Sequence, residues 1–310
     1  MTTALITHAA CLDHRVPEGH PECAARLVAV LGALEDKALL RFDAPLATDA
    51  QLRAVHPQAH IDALEAMMPD AGGVPIDGDT WISPGSMRAA RRGAGGAISG
   101  VDRVMSGGAQ NAFVATRPPG HHAEPSQAMG FCLLGNVAVA ANHALDHHGL
   151  SRVVIVDFDV HHGNGTQEMT QGDARIAYLS SHQMPLFPGT GHPSETGVDG
   201  NVVNVALSSG AGCKAFRAAM TDIILPAADA FAPQLVLVSA GFDAHRDDPL
   251  AGLMLDTADF VWITEALCDL ADRHCGGKLV SCLEGGYDLD ALAASAAAHV
   301  DVLIARGGKG

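Results

Sequence analysis

The sequence predicts an α/β fold in which a mainly parallel β-sheet is flanked by helices on both faces, as one domain over residues 1–310. Three observations carry this. Runs 153–156 and 235–238 are apolar at every position, as strands covered on both faces require. Such β-rich runs alternate with alanine-rich stretches of helical length, the order of a parallel sheet with crossover helices. A chain of 310 residues, 48% hydrophobic and 17% charged, is long enough to bury a sizeable core and too apolar to be disordered.

Taken in order, the expected strands are 4–8, 111–116, 152–159, 175–180, 235–241 and 278–284, and the expected helices 24–35, 87–105, 136–147, 214–230, 257–273 and 289–305. There is no repeat, low-complexity block or linker. No run of 18 apolar residues occurs, which argues against a membrane span. The first eleven residues lack the basic and apolar segments of a signal peptide, so a cytoplasmic protein is expected. The formal charge is −16, and the one basic cluster is Arg88, Arg91 and Arg92, a poor match to a nucleic-acid binder. An acidic surface favours cationic substrates. The seven cysteines, Cys11, Cys23, Cys132, Cys213, Cys268, Cys275 and Cys282, are odd in number and include no Cys-x-x-Cys, which reads as reduced thiols in a reducing compartment.

In open parallel sheets ligands bind beyond the carboxyl ends of the strands. Four segments put chemistry there. Strand 152–159 runs into Asp157-Phe158-Asp159-Val160-His161-His162-Gly163-Asn164-Gly165. Spacing of two along an extended segment would place Asp157, Asp159 and His161 on one side. Two carboxylates and an imidazole converging there call for a cation, and mixed oxygen and nitrogen donors suit zinc or another first-row divalent ion. Asp243 is the first charged residue after strand 235–241 and can add a ligand while leaving a position open for water.

Strand 111–116 leads into Arg117-Pro118-Pro119-Gly120-His121-His122. Two further imidazoles would overfill a tetrahedral site, so His121 and His122 are read as proton-transfer groups. Strand 278–284 leads into Glu284-Gly285-Gly286-Tyr287, where the glycines allow a tight turn against a ligand and Tyr287 offers a hydroxyl to a carbonyl oxygen. Asp146-His147-His148-Gly149 looks similar but ends a helix and precedes a strand. It is read as helix C-terminal chemistry at the wrong end of the sheet.

In this order, these segments resemble the histone deacetylase superfamily, on the arginase/deacetylase fold. The likeness runs from His20-Pro21-Glu22 with Arg26-Leu27 to Glu284-Gly285-Gly286-Tyr287. Phe158 to Gln167 and Ser239-Ala240-Gly241-Phe242-Asp243 are similar to the class II branch and its bacterial relatives. The resemblance implies zinc, or Fe²⁺ in cells, on Asp159, His161 and Asp243. It moves Asp157 away from the metal to orient His121, and gives Asn164 the same task for His122. His122 would be the principal general base and acid, with His121 supplying electrostatic help. Tyr287 would polarise the substrate carbonyl. Gly130-Phe131 and Phe187 would wall an acyl-lysine tunnel, with Leu250 and Gly285 also lining the substrate site. A structural potassium ion would use Asp157, Asp159, His161, Ser180 and Ser181, and Arg26 would lie below the site. Two departures bear on substrate preference: Cys23-Ala24 stand where relatives have Arg-Pro, and His60 follows His56 where relatives have Tyr, both toward the rim.

The implied reaction is hydrolysis of an N-acyl amine, small-molecule or peptide. Acetyl-lysine is favoured over acetylpolyamine because Leu250 follows Asp248-Pro249 where polyamine-specific relatives carry Glu, and because their long insertion is absent; the acidic charge leans the other way. An arginase-type binuclear ureohydrolase would want an Asp at 245, which is His. An inactive scaffold would be expected to lack His122 or Tyr287. Oligomeric state is left open, a homo-oligomer included.

Overall fold

The apolar runs form the centre of an eight-stranded sheet. The computed structural model describes residues 3–308. In chain order its strands are β1 (Thr3–Thr7), β2 (Leu40–Asp43), the short pair β3 (Val74–Pro75) and β4 (Trp81–Ile82), β5 (Asn111–Val114), β6 (Val153–Asp157), β7 (Ile176–Gln183), β8 (Val202–Leu207), β9 (Leu235–Ala240) and β10 (Leu279–Leu283). The helices are α1 (Ala24–Ala33), α2 (Asp49–Leu52), α3 (Gln58–Met67), α4 (Ser86–Ser106), α5 (Asn136–Asp146), α6 (Asn164–Thr170), α7 (Cys213–Ala219), α8 (Leu225–Phe231), α9 (Thr257–Cys275) and α10 (Leu289–Gly307).

The large sheet has the order β2-β1-β5-β10-β9-β6-β7-β8, and all its neighbouring strands are parallel. All eight carboxyl ends therefore emerge on one side. The four central strands, β5, β10, β9 and β6, are those followed by the four chemistry-bearing segments, so sheet order alone brings these segments together.

Alternation along each strand feeds two cores. Val154, Val156 and Val238 face one side with Phe158, Phe260 and Leu292. Val153, Ile155 and Leu237 face the other with Ala140, Ala144 and Val101. Each such valine, leucine or phenylalanine contributes roughly 1.5–3 kcal/mol through burial. α4 lies close on the second face. Gly100 permits this, since a Cβ there would meet Val280 Cγ1 at 2.7 Å.

The structure departs from the expected elements at instructive places. β2 and β8 are edge strands that the sequence reading does not mark. β2 is four residues long with alternating half-buried and exposed positions. The expected helix 214–230 is interrupted by a π-turn, Met220–Ile224, ahead of Pro226. Proline cannot donate to the carbonyl four residues back, and the wider turn absorbs the missing bond. β7 continues three residues past its expected end at Ser180, to Gln183, and all eight positions are buried. Among the described residues no helix is long and apolar enough to cross a membrane.

Several histidines are part of this interior. His299 bridges α10 to Thr264 Oγ1 (2.7 Å) and Ser281 Oγ (2.9 Å). Burial pushes its pKa down to about 3, and burial likewise holds His14 and His56 down to about 4. The unfolded chain protonates its histidines near pH 6.5, so below that the unfolded state binds more protons. This contribution to stability is complete above about pH 6.5 and is lost as pH falls toward about 3. The urea midpoint is therefore expected to drop between about pH 7.5 and pH 5. His299→Gln should lower the midpoint at both pH values and flatten its pH dependence. An unchanged slope would remove His299 from this account.

Candidate active site

β6 ends at Asp157 because its carboxylate turns the chain: Oδ1 accepts from Asp159 N at 3.1 Å. Residues 158–163 leave the extended conformation. The expected single row of Asp157, Asp159 and His161 is therefore corrected. Asp157 faces His121 and Tyr178, whereas Asp159 and His161 turn toward Asp243. His161 Nδ1 lies 3.2 Å from Asp159 Oδ1 and 3.1 Å from Asp243 Oδ2. Both carboxylates are fully buried. Backbone donors fix them: Gly285 N reaches Asp159 Oδ2 at 2.8 Å, and Val160 N reaches Asp243 Oδ1 at 2.9 Å.

One ligand atom from each of Asp159, His161 and Asp243 lies within 4.8 Å of the others. Burial disfavours charge on His161, yet its hydrogen bonds to Asp159 and Asp243 push it up to about 10. Burial, and then the neighbouring Asp159, push Asp243 up to about 7. The site demands positive charge. Its two oxygens and one nitrogen, with room on the open side, fit a catalytic first-row divalent ion. The floor is made by glycine: a Cβ at Gly285 would collide with both carboxylates, and one at Gly241 with Asp159.

The rings of His121 and His122 lie with centroids 4.0 Å apart, tilted at 45° to each other, yet their environments differ. His121 Nδ1 meets Asp157 Oδ2 at 3.1 Å. The same Asp157 oxygen accepts from the Tyr178 hydroxyl at 3.0 Å. Burial opposes charge on His121, but Asp159 and Asp157 override it and push the pKa up to about 10. His122 Nδ1 instead meets the amide oxygen of Asn164 at 2.9 Å, and Asn164 Nδ2 donates to Glu124 Oε1 at 2.7 Å. Burial, then repulsion by His121 and His161, hold His122 well below the usual histidine range. The two adjacent imidazoles are thus pushed in opposite directions, His121 up and His122 down. Because Nδ1 donates to Asn164, the unprotonated Nε2 of His122 is free to accept a proton.

A cleft of about 230 Å³ opens above these groups, with Phe131, Phe187, Leu186 and Leu250 as walls and His122, His161 and Tyr287 at depth. Gly130 and Phe131 both adopt left-handed backbone, φ 55° and 68°. That turn presses Gly130 on His122, where a Cβ would meet the ring at 2.5 Å, and stands the Phe131 ring 5.7 Å from that of Tyr287. Phe187 packs edge-on to His122 at 5.1 Å. Burial, against the pull of Arg26, raises Tyr287 well above its ordinary value and keeps its hydroxyl a donor. A larger cleft of about 850 Å³ lies between residues 13–17 and 84–88, but its ionisable lining is Asp13, Arg15 and Arg88, without a histidine or paired carboxylates.

The segment His20-Pro21-Glu22 braces the site from beneath. Buried Glu22 pairs with Arg117 at 2.7 Å and with Arg26 at 3.1 Å. Arg26 donates to the carbonyls of Glu284 and Gly286, and its guanidinium lies 4.8 Å from the Tyr287 ring centroid. Ser180 and Ser181 are buried on β7, where Ser180 pairs in register with Asp157.

His56 and His60 do not lie at the rim. Both are buried and stacked at 4.8 Å; His56 accepts from Gly135 N and His60 meets Leu133 O. They anchor the loop that carries Phe131. Sequence pattern gives no role to four residues: Glu284, whose Oε2 accepts from Gly120 N and His121 N; Tyr178; Asp248, which accepts from Tyr287 N at 2.7 Å; and Asp79, which lines the cleft. Glu284 directly follows β10, a signal that was available. Tyr178 lies mid-strand and carries none.

The histone deacetylase domain matches residues 20–303. Histone deacetylase 14, chloroplastic, of Arabidopsis thaliana is 40% identical over 93% of this chain and 73% of its own length. The histone deacetylase-like amidohydrolase of Pseudomonas aeruginosa is 43% identical over 86% of this chain and 71% of its own. The crystal structure of the HDA15 HD domain superposes with a TM-score of 0.92 at 38% identity, covering 98% of this chain and 88% of that one, and supports the arginase/deacetylase fold.

The glycine floor gives a direct test. Gly285→Ala is expected to weaken binding of a divalent ion at this cluster by about 10–100-fold, read by competition with a fluorescent chelator. Gly172→Ala, where a Cβ meets nothing within 4 Å, should bind the ion as the parent does. Equal affinity in all three proteins would contradict the packing described.

Proposed function

The chain belongs to the histone deacetylase family, and from that premise we propose that it is a zinc-dependent deacetylase that hydrolyses N-acetyl amides, acetyl-lysine type substrates foremost. The observation that carries this is His122, hydrogen-bonded to Asn164 and lining with His161 an aromatic-walled cleft over the cluster Asp159, His161 and Asp243. Zinc held by those three residues would polarise the amide carbonyl and ease deprotonation of the attacking water.

The protein's own groups do the rest. Phe131 and Phe187 hold the alkyl chain of the substrate between them. The Tyr287 hydroxyl donates to the carbonyl oxygen as charge develops on it. His122 Nε2 takes a proton from the attacking water. As the carbon–nitrogen bond breaks, His122 returns that proton to the departing nitrogen, leaving acetate and a free amine. His121, charged and tied to Asp157, lowers the energy of negative charge nearby and keeps His122 from binding a proton early. Glu284 holds the backbone of the His121 turn in place.

The oxygen-rich surroundings of Asp157, Asp159, His161, Ser180 and Ser181 suit a hard monovalent ion, and a structural potassium ion is part of the same proposal. Leu250 at the cleft wall favours acetyl-lysine over acetylated polyamines, whose distal amines would want a carboxylate there. His245 lies beside Asp247 rather than with the three metal-site residues, which disfavours a two-metal ureohydrolase.

His122→Ala is expected to retain zinc and lose about 10²–10⁴-fold in kcat on a fluorogenic acetyl-lysine peptide. Tyr287→Phe should likewise retain zinc and lose about 10²–10³-fold. Near-parental turnover in either variant would remove that residue from its role. Comparing kcat/KM for acetyl-lysine peptides, acetylputrescine and acetylspermidine decides the substrate class; a preference for the polyamines would overturn the acetyl-lysine reading.

A further inference from the structure

The second constellation of histidines does more than end a helix. His143 lies in the last turn of α5, His147 four residues on is the helix C-cap, and His148 follows it. From α4, Asp102 reaches them. His143 Nε2 lies 2.7 Å and His148 Nε2 2.8 Å from the same oxygen, Asp102 Oδ1. The three imidazoles lean on one another: His143 and His147 stack at 4.8 Å, His147 and His148 meet edge-on at 4.9 Å, and His143 and His148 at 5.4 Å. One donor atom from each of the four residues lies within 4.8 Å of the others. His147 is exposed and the other three are half-buried.

We propose that Asp102, His143, His147 and His148 form a second metal site, taking one first-row divalent cation such as zinc. Three imidazoles and one carboxylate make a complete tetrahedral set with no open position, the pattern of a structural rather than a catalytic ion. Histidines at i and i+4 place two ring nitrogens on one helix face, the same spacing that zinc-binding helices use. Zinc–nitrogen bonds of about 2.0–2.1 Å put tetrahedral ligands about 3.3 Å apart. The two hydrogen-bonded pairs, His143 and His148 to Asp102 at 2.7 and 2.8 Å, open by about half an ångström as the ion replaces their bridging protons. The carboxyl end of α5 adds the negative end of its dipole, and the chain as a whole carries −16. Capping that helix end requires one donor, so three imidazoles around one carboxylate exceed what capping explains.

The site is separate from the active site. α5 leads into β6 and α4 into β5, so both helices finish at the amino ends of the strands, across the sheet from Asp159, His161 and Asp243. A cation there would tie α4 to α5 without touching the reaction.

The test loads the full chain with zinc chloride, dialyses it against metal-free buffer, and measures zinc per chain by mass spectrometry. The parent protein should retain about two equivalents. His143→Ala/His147→Ala should lose one equivalent and keep parental turnover of acetyl-lysine peptide. Asp159→Asn should lose the other, and its thermal midpoint should still rise on adding zinc. Equal zinc content in the parent and the His143→Ala/His147→Ala protein would overturn the proposal. So would an Asp159→Asn protein that retains no zinc. If Asp159→Asn does not fold, the comparison of the other two proteins decides alone. Failure of the active-site reading looks different: Asp159→Asn would then keep the zinc content of the parent.

Discussion

Everything around the active site depends on two carboxylates buried together at the carboxyl ends of neighbouring strands. Asp159 and Asp243 have no access to solvent, and an uncompensated buried charge costs several kcal/mol. The fold meets that cost with backbone donors from Gly285 and Val160, with His161 between them, and with a donor set that suits a divalent ion. It also explains the glycines. Space that a Cβ would fill at Gly241 or Gly285 is space the carboxylates occupy.

The same local negative charge sets the two histidines apart. His121 sits between Asp157 and Asp159 and is held charged; His122, one residue on, is backed by an uncharged amide and is held neutral. Neither assignment resides in the histidine itself. Asn164 leads α6, and its own amide is fixed by Glu124. A carboxylate at 164 would pull His122 toward the charged form and narrow the difference between the two imidazoles.

How much of this was legible in the sequence follows from how local each signal is. The four central strands are apolar at nearly every position, so their existence and the polar residues after them stand out without a structure. Asp243, His121, His122 and Tyr287 stand out in that way. Edge strands β2 and β8 are covered less completely, and β2 carries Arg41 and Asp43. Their signal is correspondingly weak. Asp157 could not be separated from Asp159 by spacing, because the turn that divides them is made by the Asp157 side chain itself. His56 and His60 looked like rim residues because their partners, Gly135 and Leu133, lie more than seventy residues away in the chain. Asp102 joins His143 and His148 across forty-one and forty-six residues for the same reason.

Anomalous diffraction at the zinc edge, from crystals of the protein carrying a hydroxamate, would locate the ion. One ion is expected at the carboxyl ends of β6 and β9, bounded by Asp159, His161 and Asp243, with the hydroxamate reaching it between Phe131 and Phe187 and within hydrogen-bond reach of His122 and Tyr287. Two ions sharing the carboxylates, or a cluster without any, would contradict it.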